Sequence, residues 1–195
     1  MSRWTNSGRS IRRALALILA LPIGLAWAAA AWRMDPAESR LGFAGTQAGS
    51  PFEGTFARFT VDLHFDPADL AGSKAIVIID MTSARTGSAE RDGALQGQDW
   101  FATARWPEAR FETRAFRPLD DERWEADATL TMRGVARPVV LAFTLQPGEA
   151  GARRARGELV VDRTDYGIGQ GQWASGQWVG KEVTIRFDLR AAPQP

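Results

Sequence analysis

Alternation of apolar and polar residues is the feature that most narrows what this chain can become, and it dominates the sequence after residue 38. Phe59, Val61, Leu63 and Phe65 share one face of a run whose other face carries Thr60, Asp62 and His64. Trp124, Ala126, Ala128, Leu130 and Met132 alternate with Glu125, Asp127, Thr129 and Thr131, and Val183, Ile185, Phe187 and Leu189 with Thr184, Arg186 and Asp188. A period of two marks strands with one buried face. Further runs lie near 40–47, 73–81, 109–116, 138–145 and 157–163, and Asp66-Pro67 ends the one over 55–66. That makes about eight strands, with no helical run between them long enough for a βαβ crossover, so the sheet is expected to be antiparallel. Two architectures satisfy long strands of this kind, a sandwich or a closed barrel. An eight-stranded barrel has an interior just wide enough to be filled by side chains or to hold one slender guest.

Residues 1–30 read differently. Arg3, Arg9, Arg12 and Arg13 precede the apolar run ALALILALPIGLAWAAAA, and small residues fit a cleavage rule at Ala26-x-Ala28 or Ala28-x-Ala30. This is the layout of a secretory signal peptide, with an uncleaved N-terminal anchor as the alternative. The working domain is then 31–195. Four of the 24 Lys and Arg leave with the leader, so 20 remain against 23 Asp and Glu, a net charge of −3 instead of +1. Such a balance argues against a nucleic-acid partner. With no Cys in the chain, disulfides, thiol catalysis and thiolate metal sites are excluded. The core alone must hold the domain together, and its length suffices for one.

Few residues point to catalysis. His64 is the only histidine and sits on the polar face of its strand, where it is expected to meet solvent. The acidic group Asp120-Asp121-Glu122 falls between two strands and reads as a solvated turn, and no metal or cofactor is expected. GQGQWA, residues 169–174, matches a dinucleotide-binding pattern in letters, but no helix follows it. Gly167, Gly169, Gly171 and Gly176 are expected to give a flexible connection, with Trp173 and Trp178 as apolar surface. GARRARG, residues 151–157, groups Arg153, Arg154 and Arg156; these could meet a phosphate or an anionic membrane surface, or simply be solvated strand-end charges.

One stretch breaks the β-pattern, TSARTGSAERDGALQGQDWFATARWPEARF over 82–111. Ser88 can cap a short helical segment near 88–101, which Gly93 and Gly97 weaken. Ser83, Thr86, Arg91 and Asp92 have no evident base beside a nucleophile. The simpler account is an Arg-Asp pair and hydroxyl hydrogen bonds that fix a segment across one end of the barrel. There the same groups would be placed to meet a polar head group, with Trp100, Phe101, Trp106 and Phe111 packed beneath. The segment is expected to act as a gate.

The order of motifs resembles the YceI family of exported lipid-binding proteins. The matching pieces are WRMDPAESRLGF (32–43), FEGTFARFTVDLHFDP (52–67), IIDMTSARTGSAERDGALQGQDWFATARWPEARFET (78–113), ADATLTMRGVARPVVLAF (126–143) and VDRTDYGIGQGQW (161–173). The resemblance implies an extended, lipocalin-like antiparallel barrel with a hydrophobic channel for a polyisoprenoid lipid or an isoprenoid quinone, and a periplasmic or secreted location. Gln96-Gly97-Gln98-Asp99-Trp100 differs from the more basic, Phe-containing version of many members. With YGIGQGQW it places the chain nearer the branch associated with di-haem cytochrome b561 membrane proteins. The family offers no catalytic residues to carry over. The expected channel lining is Phe59, Val61, Leu63, Phe65, Val77, Ile79, Trp100, Phe101, Phe111 and Leu130. Non-enzymatic carriage of the isoprenoid is therefore the expected function, with a cytochrome accessory protein or a lipid head-group hydrolase as alternatives.

Overall fold

The computed structural model describes Met1 and residues 31–194; apart from Met1, the expected leader lies outside the described residues. Eleven strands form one antiparallel sheet. In chain order they are β1 (Ala31–Met34), β2 (Arg40–Gln47), β3 (Ser50–Phe56), β4 (Phe59–His64), β5 (Lys74–Asp80), β6 (Ala84–Arg85), β7 (Glu108–Pro118), β8 (Arg123–Met132), β9 (Val135–Pro147), β10 (Arg153–Asp162) and β11 (Glu182–Pro193). Among the described residues there is a single α-helix, α1 (Ala89–Gln96), between β6 and β7. The sheet closes because β11 pairs with β1 as well as with β10, so β1, β4, β5, β7, β8, β9, β10 and β11 form an eight-stranded barrel. Along its other edge β11 is shared: β1 covers Ala191 to Pro193, and β2 covers Thr184 to Asp188.

The run expected as one strand over 55–66 is two, and the reason lies in Ser83. Its partner strand is interrupted by a 3-10 turn, Met81–Ser83, so β4 pairs with β5 while β3 pairs with β6. Across the break the Ala57 N–H donates to the Ser83 carbonyl at 3.2 Å, and the Arg58 N–H donates to Ser83 Oγ at 3.1 Å. The Ser83 hydroxyl donates to the Asp80 carbonyl at 2.6 Å. One fully buried serine thus supplies the partners that the interrupted ladder lacks, as buried backbone groups require.

Turn chemistry sets the register of the long hairpin. Arg133 and Gly134 both have positive φ, 50° and 76°, between β8 and β9. This two-residue connection matches the twist of antiparallel strands. A β-carbon on Gly134 would meet Trp106 Nε1 at 2.6 Å, so the indole closes over the turn only because glycine is there.

Two apolar clusters fill the ends of the barrel. Phe43, Phe56, Met81, Leu95, Phe101, Met132, Tyr166 and Ile168 are buried at the end that carries α1. At the opposite end Phe65, Phe116 and Trp124 pack edge to face, with ring centroids 5.1 and 5.3 Å from Phe65. The Trp32 indole N–H donates to the Phe65 carbonyl at 2.9 Å and ties β1 to that cluster.

Candidate functional site

Between the two clusters the barrel is hollow. A central cavity of about 150 Å³ is walled by every strand of the ring except β1. The inward parity of each strand brings Phe59, Val61 and Leu63 of β4, Val77 and Ile79 of β5, Phe111 of β7 and Leu130 of β8 into the same wall. The alternation of β2, β9, β10 and β11 adds Leu41, Leu141, Phe143, Leu159, Ile185, Phe187 and Leu189. Thr113 is the one polar side chain in this wall, and its Oγ1 accepts from the Ala75 N–H at 2.8 Å. The wall therefore offers a guest no free charge.

Two smaller cavities continue the central one. One of about 80 Å³ shares Val61, Leu63, Phe143, Ala155 and Leu189 with it and runs towards Trp32, Phe65, Ala191 and Arg153. Another of about 60 Å³ meets it at Ile185 and ends among Leu95, Trp100, Phe101 and Ile168 beneath α1. Of the residues expected to line the channel, seven face the central cavity, Phe65 faces the first extension, and Trp100 and Phe101 face the second. The first extension reaches a strand-end rim, whereas the second ends against Phe52, Leu95 and Trp100, whose other side lines a cavity of about 150 Å³ with Gln47, Ser88 and Arg91.

The stretch over 82–106 forms that stop. Ser88 caps α1, its Oγ accepting from the Arg91 N–H at 3.4 Å, and Leu95 drops from the helix into the core. Arg91 and Asp92 do not pair with each other. Asp92 accepts both the N–H and the hydroxyl of Thr86, at 2.7 and 2.6 Å. The Thr86 hydroxyl is the main cause holding the Asp92 carboxyl below the usual carboxylate range. Arg91 donates to Gln47 Oε1 at 2.7 Å and to the Thr86 carbonyl at 3.5 Å, with its guanidinium 4.6 Å from the Phe52 ring centre. Ser83 is spent on the β3–β4 break described above, and the Thr86 hydroxyl and the Asp92 carboxylate are engaged with each other.

Sequence reasoning missed two Asp-x-Thr turns of one design. At the end of β5, Asp80 accepts from the Thr82 N–H and hydroxyl at 2.8 and 2.6 Å; at the end of β10, Asp162 does the same with Thr164 at the same distances. In both cases the threonine hydroxyl is the leading cause that lowers the carboxyl pKa. The signal was legible as IID-M-T and VVD-R-T, each an apolar strand followed by Asp and, two residues on, Thr.

The glycine-rich connection after β10 is pinned, not loose, and the cause is Arg163. This side chain is 2% exposed. Its Nε donates to the Gly180 carbonyl, Nη1 to those of Ile168 and Gly169, and Nη2 to those of Trp173 and Val179, over 2.6 to 3.2 Å. All five donors of the guanidinium are used on main-chain oxygens. Burial draws its pKa below the ordinary value. The Trp100 ring lies 5.2 Å from the guanidinium and 5.7 Å from the Trp173 ring, so the connection and the 82–106 stretch close the same end together.

The other candidates stay outside the channel. His64 is exposed, its Nδ1 3.6 Å from Asp62 Oδ1, and Asp120 caps the β7–β8 turn by accepting from the Arg123 N–H at 2.7 Å. Among the described residues no group of three or more His, Asp or Glu is placed to hold a metal ion, and no helix is long and apolar enough to cross a membrane.

The family model described as "YceI-like domain" matches residues 32–191. A UPF0312 protein of Vibrio parahaemolyticus is 29% identical over 128 residues, which cover 65% of this chain and 68% of that protein. The crystal structure of Burkholderia cenocepacia BcnA is 30% identical and superposes with a TM-score of 0.78, covering 82% of this chain and all of the other. A polyisoprenoid binding domain of Saccharophagus degradans, implicated in plant cell wall breakdown, shares the fold at 19% identity, with a TM-score of 0.68 over 85% of this chain and 99% of its own.

Proposed function

This chain belongs to the YceI-like family, and we propose that it binds and carries one long isoprenoid chain, without catalysis, in the channel of its barrel. The observation that carries the reading is the central cavity, whose lining is apolar apart from a threonine already hydrogen-bonded. A water needs polar partners and only about 10–15 Å³ of such space, so a cavity of this size and lining is poor at holding water and suited to an apolar guest. Burying that guest gains roughly 25 cal/mol per Å² with no demand for specific polar contacts. An elongated channel also selects a slender chain over a compact ring system. The polyisoprenoid-binding neighbour of the same fold supports the isoprenoid class.

We place the protein in the periplasm after removal of residues 1–30, so that intact-mass measurement of exported protein gives a start near Ala29 to Trp32. A quinone guest would supply the link to a membrane cytochrome b561 that the resemblance implies. The deciding experiment is native mass spectrometry of protein purified from its own cell envelope, followed by lipid extraction. A co-purifying polyprenyl lipid or isoprenoid quinone is the expected result. Apo protein that also fails to take up either lipid from micelles would end the proposal.

A further inference from the structure

We infer that the channel has a polar end, and that Arg153 at the rim away from α1 receives an anionic head, so that the guest is a phosphate- or diphosphate-terminated chain inserted tail first. This rests on the channel reading above and adds the head group and the orientation. The basic group over 151–157 is divided by strand parity. Arg154 and Arg156 point outward and share Asp188: Arg154 donates to both carboxylate oxygens at 2.6 and 2.8 Å, and Arg156 to one at 3.0 Å. Arg153 takes the opposite face, in line with Ala155 and Leu159, and lines the cavity that opens towards Trp32 and Ala191. It has no hydrogen-bond or ion-pair partner among the described side chains. A planar, always-charged fork at the edge of an apolar tube is suited to a phosphate.

The two ends are not equivalent. At the α1 end the Arg163 donors are saturated by carbonyls, Thr86 and Asp92 satisfy each other, and Arg91 donates to Gln47 and to the Thr86 carbonyl and lies over Phe52, with only its Nε left unpartnered. At the rim the Arg153 side chain is exposed, with no partner among the described residues. From Arg153 to Leu159 the β10 wall runs for about 20 Å at roughly 3.3 Å per residue, room for several prenyl units below the head.

The test compares geranylgeranyl phosphate with geranylgeraniol, an identical tail without the anion, by displacement of an apolar dye from the mature protein. The phosphate is expected to bind about tenfold more tightly, the scale of one charge-assisted hydrogen bond at a solvated rim, with the difference shrinking as salt is raised. Arg153→Ala should abolish that preference while leaving the melting temperature unchanged; Arg153→Lys should keep part of it, and Arg91→Ala all of it. Equal affinities in the wild type, or a preference that survives Arg153→Ala, would overturn the head-group site while leaving isoprenoid binding intact. Failure of both probes to bind would remove the channel reading and this inference with it.

Discussion

A β-carbon on Gly169 would lie 2.8 Å from Arg163 Cζ, so the buried guanidinium and the glycine that covers it are fixed to one another. Gly169 also has a φ of 78°. Gly169→Ala therefore combines an unfavourable backbone conformation with overpacking and is expected to cost about 2–4 kcal/mol. Chemical denaturation would measure it, and a loss below half a unit would show that the connection yields.

Leu63 lines both the central cavity and the extension towards the rim. Leu63→Trp should fill that junction, lowering the affinity for an apolar dye by about tenfold or more while changing stability by less than about 1 kcal/mol, because the added volume enters a void. Val61→Asp at the same junction places an unpaired charge in the wall and should lose either binding or folding. A folded Val61→Asp protein with full dye affinity would refute the inward assignment of β4.

Arg91 ties α1 to Gln47 and to the Phe52 ring. Arg91→Ala should speed amide exchange over 86–97, because few other contacts hold the outer face of the helix. If the guest leaves by the Arg153 rim, its release rate, followed by stopped-flow fluorescence, stays at the wild-type value. Faster release in step with faster exchange would make the 82–106 stretch the gate instead.

Acid should destabilise the domain through a particular set of carboxylates. Asp80, Asp92 and Asp162 are held low chiefly by threonine hydroxyls, and Asp188 chiefly by Arg154. A depressed folded-state pKa contributes stability that is fully present above the unfolded value, about 3.9, and is lost as pH falls through the folded value. Melting temperatures should hold from pH 7 to about 5 and then fall steeply below 4. Thr164→Val should flatten part of that fall by raising the Asp162 pKa; an unchanged profile would mean that this hydroxyl does not hold the carboxylate.

The faces of the strands were legible because each strand writes its own parity into consecutive residues. Val61, Val77 and Leu130 could be placed in one wall without knowing which strands were neighbours. The break between β3 and β4 was not legible, since it is made by Ser83, 25 residues further along the chain. Arg163 was equally hidden: all its partners are main-chain carbonyls, which leave no trace in side-chain spacing. Arg153 differs from Arg154 only in parity, and that distinction acquires meaning once the barrel shows which side is inside.

The shared edge of β11 has a topological consequence. Trp32 is paired with Pro193, and the Gln194 N–H donates to the Ala31 carbonyl at 2.8 Å, so the described stretch begins and ends at one spot on the barrel. A short linker from 194 to 31 would make the domain a continuous ring of chain that can be cut elsewhere. The exposed Asp120-Asp121 turn is a suitable cut, because no channel wall crosses it. Such a circular permutant would move the free ends from β1 to the β7–β8 turn, on the same rim as Arg153, where Glu122 meets Gln146.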